Sequence, residues 1–201
     1  MFGFARRARL EASRTCFGKL PWSVEFLRVN GSTPETRLLD DWFQAGLQSM
    51  QTLPDWERTF DRLPVVSYWL NFAGSERTLI GGFRASRDQS GRRYPITAFA
   101  SFEARALERD LAVSPLAFQA SYRTTAALLD IAPSTGALDV LAAALAELPT
   151  VAAIDDPLHR QELWEFADTH TVREFCALIE TGVDATRFDQ LVAALAEMLH
   201  P

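Results

Sequence analysis

The residues whose types could do chemistry are concentrated in one short polar segment between two apolar runs. They are Arg84, Ser86, Arg87, Asp88, Gly91, Arg92 and Arg93. Guanidinium groups and loop N–H groups can bind phosphate or a carboxylate, so this segment could form an anion site. Alternatively, Asp88 could hold the loop together through backbone N–H or arginine contacts, with Gly91 permitting a turn. We favour this structural interpretation, and the two interpretations can hold together.

The sequence signatures of common enzymes are missing. No GxSxG, HExxH or Walker A motif is present, and no GxGxxG follows a strand. Lys19 is the only lysine, so any phosphate-loop or Schiff-base lysine would have to be this residue. His159 and Glu162 lie three residues apart on a predicted helix, but no second pair completes a four-ligand metal site. We therefore expect no catalytic residue, cofactor or metal, and the alternative is a hydrolase that uses loop 86–93.

Charge and composition narrow the class of protein. The 201-residue chain has a net charge of −6 and 48% hydrophobic residues, which is typical of a globular protein and argues against nucleic-acid binding. The first thirty residues are mainly basic, whereas acidic residues dominate from Gly136 onward. This asymmetry suggests polar docking faces, although two solvated surfaces are the simpler interpretation.

Cysteine usage and the lack of long apolar runs predict a cytoplasmic protein. Cys16 and Cys176 are too far apart for a CxxC motif, and we expect both to be buried thiols in a reducing compartment. The basic N-terminus lacks the apolar stretch of a signal peptide. No run reaches transmembrane length, so we expect no stable membrane insertion.

The elements that would position the polar segment can be predicted from hydrophobic periodicity. Apolar residues at helical spacing predict a helix with Ser32 or Thr33 as its cap and Pro34 in its first turn. Asp40 and Asp41 lie early in this helix, where negative charge is favourable on electrostatic grounds alone. These two carboxylates therefore need no catalytic role.

Alternating side chains and turn residues predict five extended segments. They cover residues 14–20, 23–29, 65–72, 78–85 and 94–102. Pro21 separates the first two, because proline cannot donate a ladder hydrogen bond. Pro95 places the start of the last strand near an edge or at the first ladder position. The short connections favour antiparallel pairing.

After residue 102 the pattern becomes helical and rich in alanine. Predicted helices cover about residues 114–129, 136–148, 157–166, 172–181 and 185–199, and a short helix is predicted from Pro54. The order of elements predicts an α+β (mixed α/β) fold, with a mainly antiparallel sheet of about five strands layered between helices and a helical C-terminal half. We expect one domain over 1–201, with a mobile basic lead or short helix at 1–13. The sheet-containing part is predicted at 14–102 and the helical part at 103–201.

Three motifs occur in order between residues 17 and 97. The first is Phe17-Gly18-Lys19-Leu20-Pro21, followed by Val24-Glu25-Phe26. The second, at residues 40–47, reads Asp-Asp-Trp-Phe-Gln-Ala-Gly-Leu, and the third, at 86–97, reads Ser-Arg-Asp-Gln-Ser-Gly-Arg-Arg-Tyr-Pro-Ile-Thr. Their order and spacing resemble the TagF/ImpM family, which is encoded with type VI secretion systems. The chain departs from the family at Val24-Glu25, where the family has Gly-Asp.

This resemblance implies a sheet layered between helices and a non-enzymatic accessory role in a type VI secretion system. It implies post-translational restraint of assembly or firing, through binding of a forkhead-associated scaffold protein of the same system. Some relatives are fused to a phosphatase whose motifs are missing here, so the chain looks like the stand-alone regulator. The candidate interaction or structural residues are Gly18, Lys19, Pro21, Trp42, Ser86, Asp88, Gly91, Arg92, Arg93 and Pro95.

Overall fold

Five strands form a single antiparallel sheet in the computed structural model, which describes residues 12–72, 75–103 and 118–148. The strands are β1 (Ser13–Gly18), β2 (Leu27–Val29), β3 (Val66–Asn71), β4 (Arg77–Arg84) and β5 (Ile96–Glu103). Their order across the sheet is β2-β1-β5-β4-β3, and every neighbouring pair is antiparallel. With helices on the sheet and in the C-terminal half, the predicted α+β fold is confirmed.

The first face of the sheet is covered by helix α1 (Pro34–Met50) and the short helix α2 (Trp56–Asp61). The α1 helix begins where predicted, because Thr33 Oγ1 accepts a hydrogen bond from Thr36 N at 3.2 Å and Pro34 occupies the first turn. Its buried apolar residues are Leu39, Trp42, Phe43, Leu47 and Met50. They pack in one cluster with sheet residues that include Phe17, Phe83 and Phe99.

The second face is covered by helix α3 (Gln119–Ile131), a 3-10 turn (Ala132–Ser134) and helix α4 (Leu138–Ala146). Leu128, Leu141 and Leu145 are buried here against Cys16, Ile96 and other sheet residues. Because helices lie on both faces, β5 is buried along seven of its eight residues. The β5 strand is therefore the centre of the core and of the sheet.

Most predicted element positions agree with the structure, with small shifts at the ends, but of the extended segment predicted at 23–29 only Leu27–Val29 forms a strand. Pro95 directly precedes β5, whose ladder begins at Ile96 in the middle of the sheet, so the proline lies neither at an edge nor at a ladder position. Of the helix predicted at 114–129, residues 114–117 lie outside the described residues. The helices predicted at 157–166, 172–181 and 185–199 also lie outside them. Within the described ranges, no helix has the length and apolar character needed to cross a membrane.

Candidate functional site

The first and third motifs meet at one end of the sheet, where β1 ends beside the start of β5. Gly18 has a φ of +136°, a conformation that side chains rarely adopt. A Cβ at this position would lie 2.2 Å from the carbonyl oxygen of Pro95. Only glycine therefore allows the turn after β1 to approach the backbone that enters β5.

Asp88 is the centre of the polar contacts at this end. Its side chain is fully buried, and its Oδ2 accepts hydrogen bonds from Lys19 Nζ at 2.9 Å and Arg92 Nε at 2.7 Å. Its Oδ1 accepts from the backbone N–H groups of Ser90 at 3.0 Å and Arg92 at 2.9 Å. Burial alone would raise the pKa of Asp88, but the hydrogen bonds from Lys19 and Arg92 hold this pKa well below its usual range. The only lysine of the chain thus serves as a partner of Asp88.

The loop between β4 and β5 is closed by its own backbone around this carboxylate. Asp88 N donates to Arg92 O at 3.0 Å, and Gly91, with a φ of +83°, donates to Asp88 O at 2.9 Å. Gln89 N donates to Ser23 O at 3.0 Å, which ties the loop to the connection between β1 and β2. These contacts are the ones predicted if Asp88 holds the loop together and Gly91 permits its turn.

Three of the four arginines in residues 84–93 are engaged with carboxylates of the chain itself, and the exposed Arg87 makes no ion pair with a described residue. Arg93 binds Asp61 and Glu57, each at 2.8 Å, and the hydrogen bond that Arg93 donates to Asp61 is the main reason that the pKa of Arg93 is raised. Arg84 binds Asp130 at 3.0 Å. In addition to Asp88, Arg92 binds the carbonyl oxygen of Val24 at 3.0 Å, through Nη2. An external anion would have to compete with these internal contacts, which weakens the anion-site interpretation.

The second motif joins the same end of the sheet through Asp40. The Asp40 carboxylate accepts a hydrogen bond from Tyr94 Oη and lies 3.6 Å from Arg28 Nη2. Burial, followed by the hydrogen bond to Asp40, raises the pKa of Tyr94. The ring of Phe26 lies 5.2 Å from the Tyr94 ring, and the Arg28 guanidinium lies 5.6 Å from the Phe26 ring. The sequence did not indicate this cluster, because its members come from three separate segments.

Asp40 therefore has a different role from the one predicted. It lies in the second turn of α1, and the acidic residue of the first turn is Glu35. Favourable interaction with the helix N-terminus falls off within the first turn. Asp40 instead makes a side-chain contact with Tyr94, and this contact holds α1 against the segment that enters β5.

Replacing Asp40 by alanine tests this contact against its neighbour Asp41. Asp41 is exposed and makes no hydrogen bond or ion pair with a described residue. We expect Asp40→Ala to lower the free energy of unfolding by about 1.5–3 kcal/mol, the usual effect of losing a hydrogen bond to a charged group. We expect Asp41→Ala to change it by less than about 0.5 kcal/mol. Urea denaturation of both variants measures the difference, and equal effects would contradict the assignment.

The remaining candidate residues occupy structural positions. Trp42 is 4% exposed and packs in the core at 5.4 Å from the Phe43 ring, measured between ring centroids. Pro21 is exposed in the turn after β1. The Ser86 Oγ is buried without a hydrogen-bond partner among the described residues, and no histidine lies in those residues to activate it as a nucleophile. Cys16 is also buried, and its burial raises the thiol pKa to about 12, which suppresses the reactive thiolate.

The described ranges hold no cluster of three or more histidine, cysteine or acidic residues that could bind a metal. His159, His170 and His200 all lie outside those ranges. In the part of the chain that is described, three of the four charged residues of the third motif, Asp88, Arg92 and Arg93, make ion pairs within the chain. The fold and the site together define a layered α+β domain. Ion pairs within the chain fix the end of the sheet at Lys19, Asp88, Arg92 and Arg93, which we call the charged end.

Residues 15–148 match the TagF N-terminal domain, which is type VI secretion system-associated. The match covers more than half of the chain, and the protein belongs to this family. The resemblance seen in the three motifs is thereby confirmed, and the match extends it beyond Thr97 into the helices that cover the second face. No curated protein matches the chain.

A solved structure supports the same fold. The protein is similar to PA0076 from Pseudomonas aeruginosa PAO1, with a TM-score of 0.55 and 17% sequence identity. The similarity covers 92% of this chain and 78% of that chain. At this level of identity, the likeness supports the architecture alone.

Proposed function

We propose that the protein is a non-enzymatic, cytoplasmic accessory protein of a type VI secretion system, and that it acts by binding another protein of that system. The observation that carries the proposal is the family match over residues 15–148. We further propose that residues 1–201 act as one domain. The family resemblance supports a restraining role in assembly or firing, with a forkhead-associated scaffold protein as the partner.

The geometry of the charged end supports binding rather than catalysis. A general acid, base or nucleophile needs a free polar group beside a space for substrate. Here Lys19 and Arg92 are both bound to Asp88, and Arg93 is bound to α2. In this proposal the motif residues act by fixing the shape of the surface, and neighbouring exposed side chains contact the partner.

Two exposed apolar residues lie beside the ion pairs and are the candidates for that contact. Val24 is 48% exposed and Phe26 is 38% exposed. Arg92 contacts the Val24 backbone, and Arg28 stacks over the Phe26 ring. Aromatic side chains and arginine are enriched in protein–protein interfaces, so Phe26 and the two arginines fit such a contact.

Affinity purification of the full chain from cells that carry the intact secretion cluster tests the proposal. We expect at least one protein of the cluster to be retained reproducibly, and its absence from every replicate would contradict the proposal. Val24→Asp should weaken retention, because it places a charge in the contact. Leu53→Asp is the matched control, since Leu53 is 46% exposed and lies in the connection between α1 and α2.

A further inference from the structure

The exposed charges at the charged end are mainly positive. Two connections meet there, residues 19–28 and residues 85–93, and backbone and side-chain hydrogen bonds join them. Their exposed charged residues are Arg28, Arg87, Arg92 and Glu25. Three arginines and one glutamate leave an excess of two positive charges on this surface. The chain as a whole has a net charge of −6, so the local charge is opposite in sign to that of the protein.

The Arg92 guanidinium is fixed in place but keeps unused donors. Its Nε donates to Asp88 at 2.7 Å and its Nη2 donates to the Val24 carbonyl oxygen at 3.0 Å. A guanidinium has five N–H donors, so other donors of Arg92 make no hydrogen bond with a described residue. Asp88 is fully buried, whereas the Arg92 side chain is 62% exposed. A carboxylate from outside can therefore bind Arg92 without displacing Asp88.

Arg28 is positioned by aromatic rings. Its guanidinium carbon lies 5.6 Å from the centre of the Phe26 ring and 6.0 Å from the centre of the Phe17 ring. The Asp40 Oδ2 lies 3.6 Å from Arg28 Nη2, which is longer than a hydrogen bond. The rings thus orient the guanidinium, and its N–H donors can bind a carboxylate in the planar geometry that arginine favours.

We propose that the partner contacts this surface through an acidic segment that also carries an apolar side chain. This inference rests on the proposed function, and it identifies the chemistry of the partner at the same surface. Carboxylates of the segment bind Arg28 and Arg92, and its apolar side chain packs on Val24 and Phe26. Because the chain is negatively charged overall, the positive surface also orients an acidic partner as it approaches.

Two variants of Val24 test the sign of this interaction. Val24 is 48% exposed, and Val24→Asp and Val24→Lys remove the same apolar side chain but add opposite charges. We expect Val24→Lys to bind the retained cluster protein at least about tenfold more tightly than Val24→Asp, measured by calorimetric titration. Raising the salt from about 0.1 M to about 1 M should reduce this difference, because the charges are screened. Equal affinities of the two variants would overturn the inference.

A peptide probe tests the inference without an identified partner. The probe is the fluorescently labelled peptide Asp-Glu-Phe-Glu-Asp, and its uncharged control is Asn-Gln-Phe-Gln-Asn. We expect the full chain to bind the acidic peptide at least about tenfold more tightly than the control. Arg28→Gln should remove most of this difference. Arg123→Gln is the matched variant, since Arg123 is exposed on α3 at the second face of the sheet, and it should leave the difference unchanged.

The two experiments separate this inference from the proposed function. Absence of every cluster protein from the affinity purification would contradict the proposed function, while the peptide measurements would still decide the inference. Equal binding of the two peptides, or an equal loss in Arg28→Gln and Arg123→Gln, would overturn the inference. Tighter binding of a control peptide that carries one phosphothreonine would overturn it in favour of a phosphorylated segment.

Discussion

Substitution of Gly18 by alanine is expected to lower the free energy of unfolding by about 2–6 kcal/mol. Two effects add at this position. The φ of +136° is strained for any residue with a Cβ, and such strain costs about 1–3 kcal/mol. The new Cβ would also meet the Pro95 carbonyl oxygen at 2.2 Å and the Ile96 Cα at 2.7 Å. Forcing an extra carbon into a packed site costs about 1–3 kcal/mol more.

Gly31→Ala is the control that separates the two effects. Gly31 has a φ of +92°, but a Cβ there would have no atom within 4 Å. We expect this variant to lose only the strain contribution of about 1–3 kcal/mol. Urea denaturation of both variants gives the comparison. If Gly31→Ala is destabilised as much as Gly18→Ala, the close approach of β1 to Pro95 does not contribute to stability.

The elements of the fold could be predicted because their signals are local in the sequence. The α1 helix has a cap, a proline and an apolar stripe within one segment, and the structure places it at Pro34–Met50. The β3 strand was predicted from strict alternation at 65–72 and occurs at Val66–Asn71. Short connections correctly predicted antiparallel pairing, because adjacent strands joined by a tight turn must reverse direction.

The contacts that build the charged end could not be predicted in the same way. Lys19 and Asp88 are 69 residues apart, and Tyr94 and Asp40 are 54 residues apart. They meet only because β1 lies beside β5 in the sheet and α1 lies across both strands. Periodicity gives the face of each strand but not the order of strands across a sheet. The sequence indicated that Asp88 holds its loop, but it could not identify Lys19 as a partner.

A rigid charged end is consistent with a protein that binds another protein. Preorganised side chains lose little conformational entropy when a partner binds, which favours association. The ion pairs at Asp88 and Arg93 connect the loop to β1 and to α2, so three segments share one fixed geometry. A partner that recognises this surface would therefore depend on the geometry that these ion pairs fix. The contribution of the Asp88 contacts to the stability of the fold can be measured directly.

Substitution of Asp88 by asparagine is expected to lower the denaturation temperature at neutral pH by on the order of 10 °C. Asparagine keeps the shape of the side chain but removes the charge. Lys19 Nζ would then lose its ion-pair partner, at a position where the lysine side chain is only 16% exposed. Removing one member of a buried pair is strongly destabilising, because it leaves the other charge uncompensated. Asp41→Asn, at an exposed position, should leave the denaturation temperature nearly unchanged.

The difference between the parent and Asp88→Asn should also depend on pH, with a sign set by the lowered pKa of Asp88. In the folded protein this pKa lies below that of an unfolded aspartate, which is about 3.9. The stabilisation is therefore fully present above about pH 4, and it is lost as the pH falls from there towards the folded-state pKa. Thermal or urea denaturation near pH 7 and near pH 3 should show a smaller difference at the lower pH. A difference that stays constant over this range would mean that the Asp88 charge does not stabilise the fold, and that the loop is held by its backbone hydrogen bonds alone.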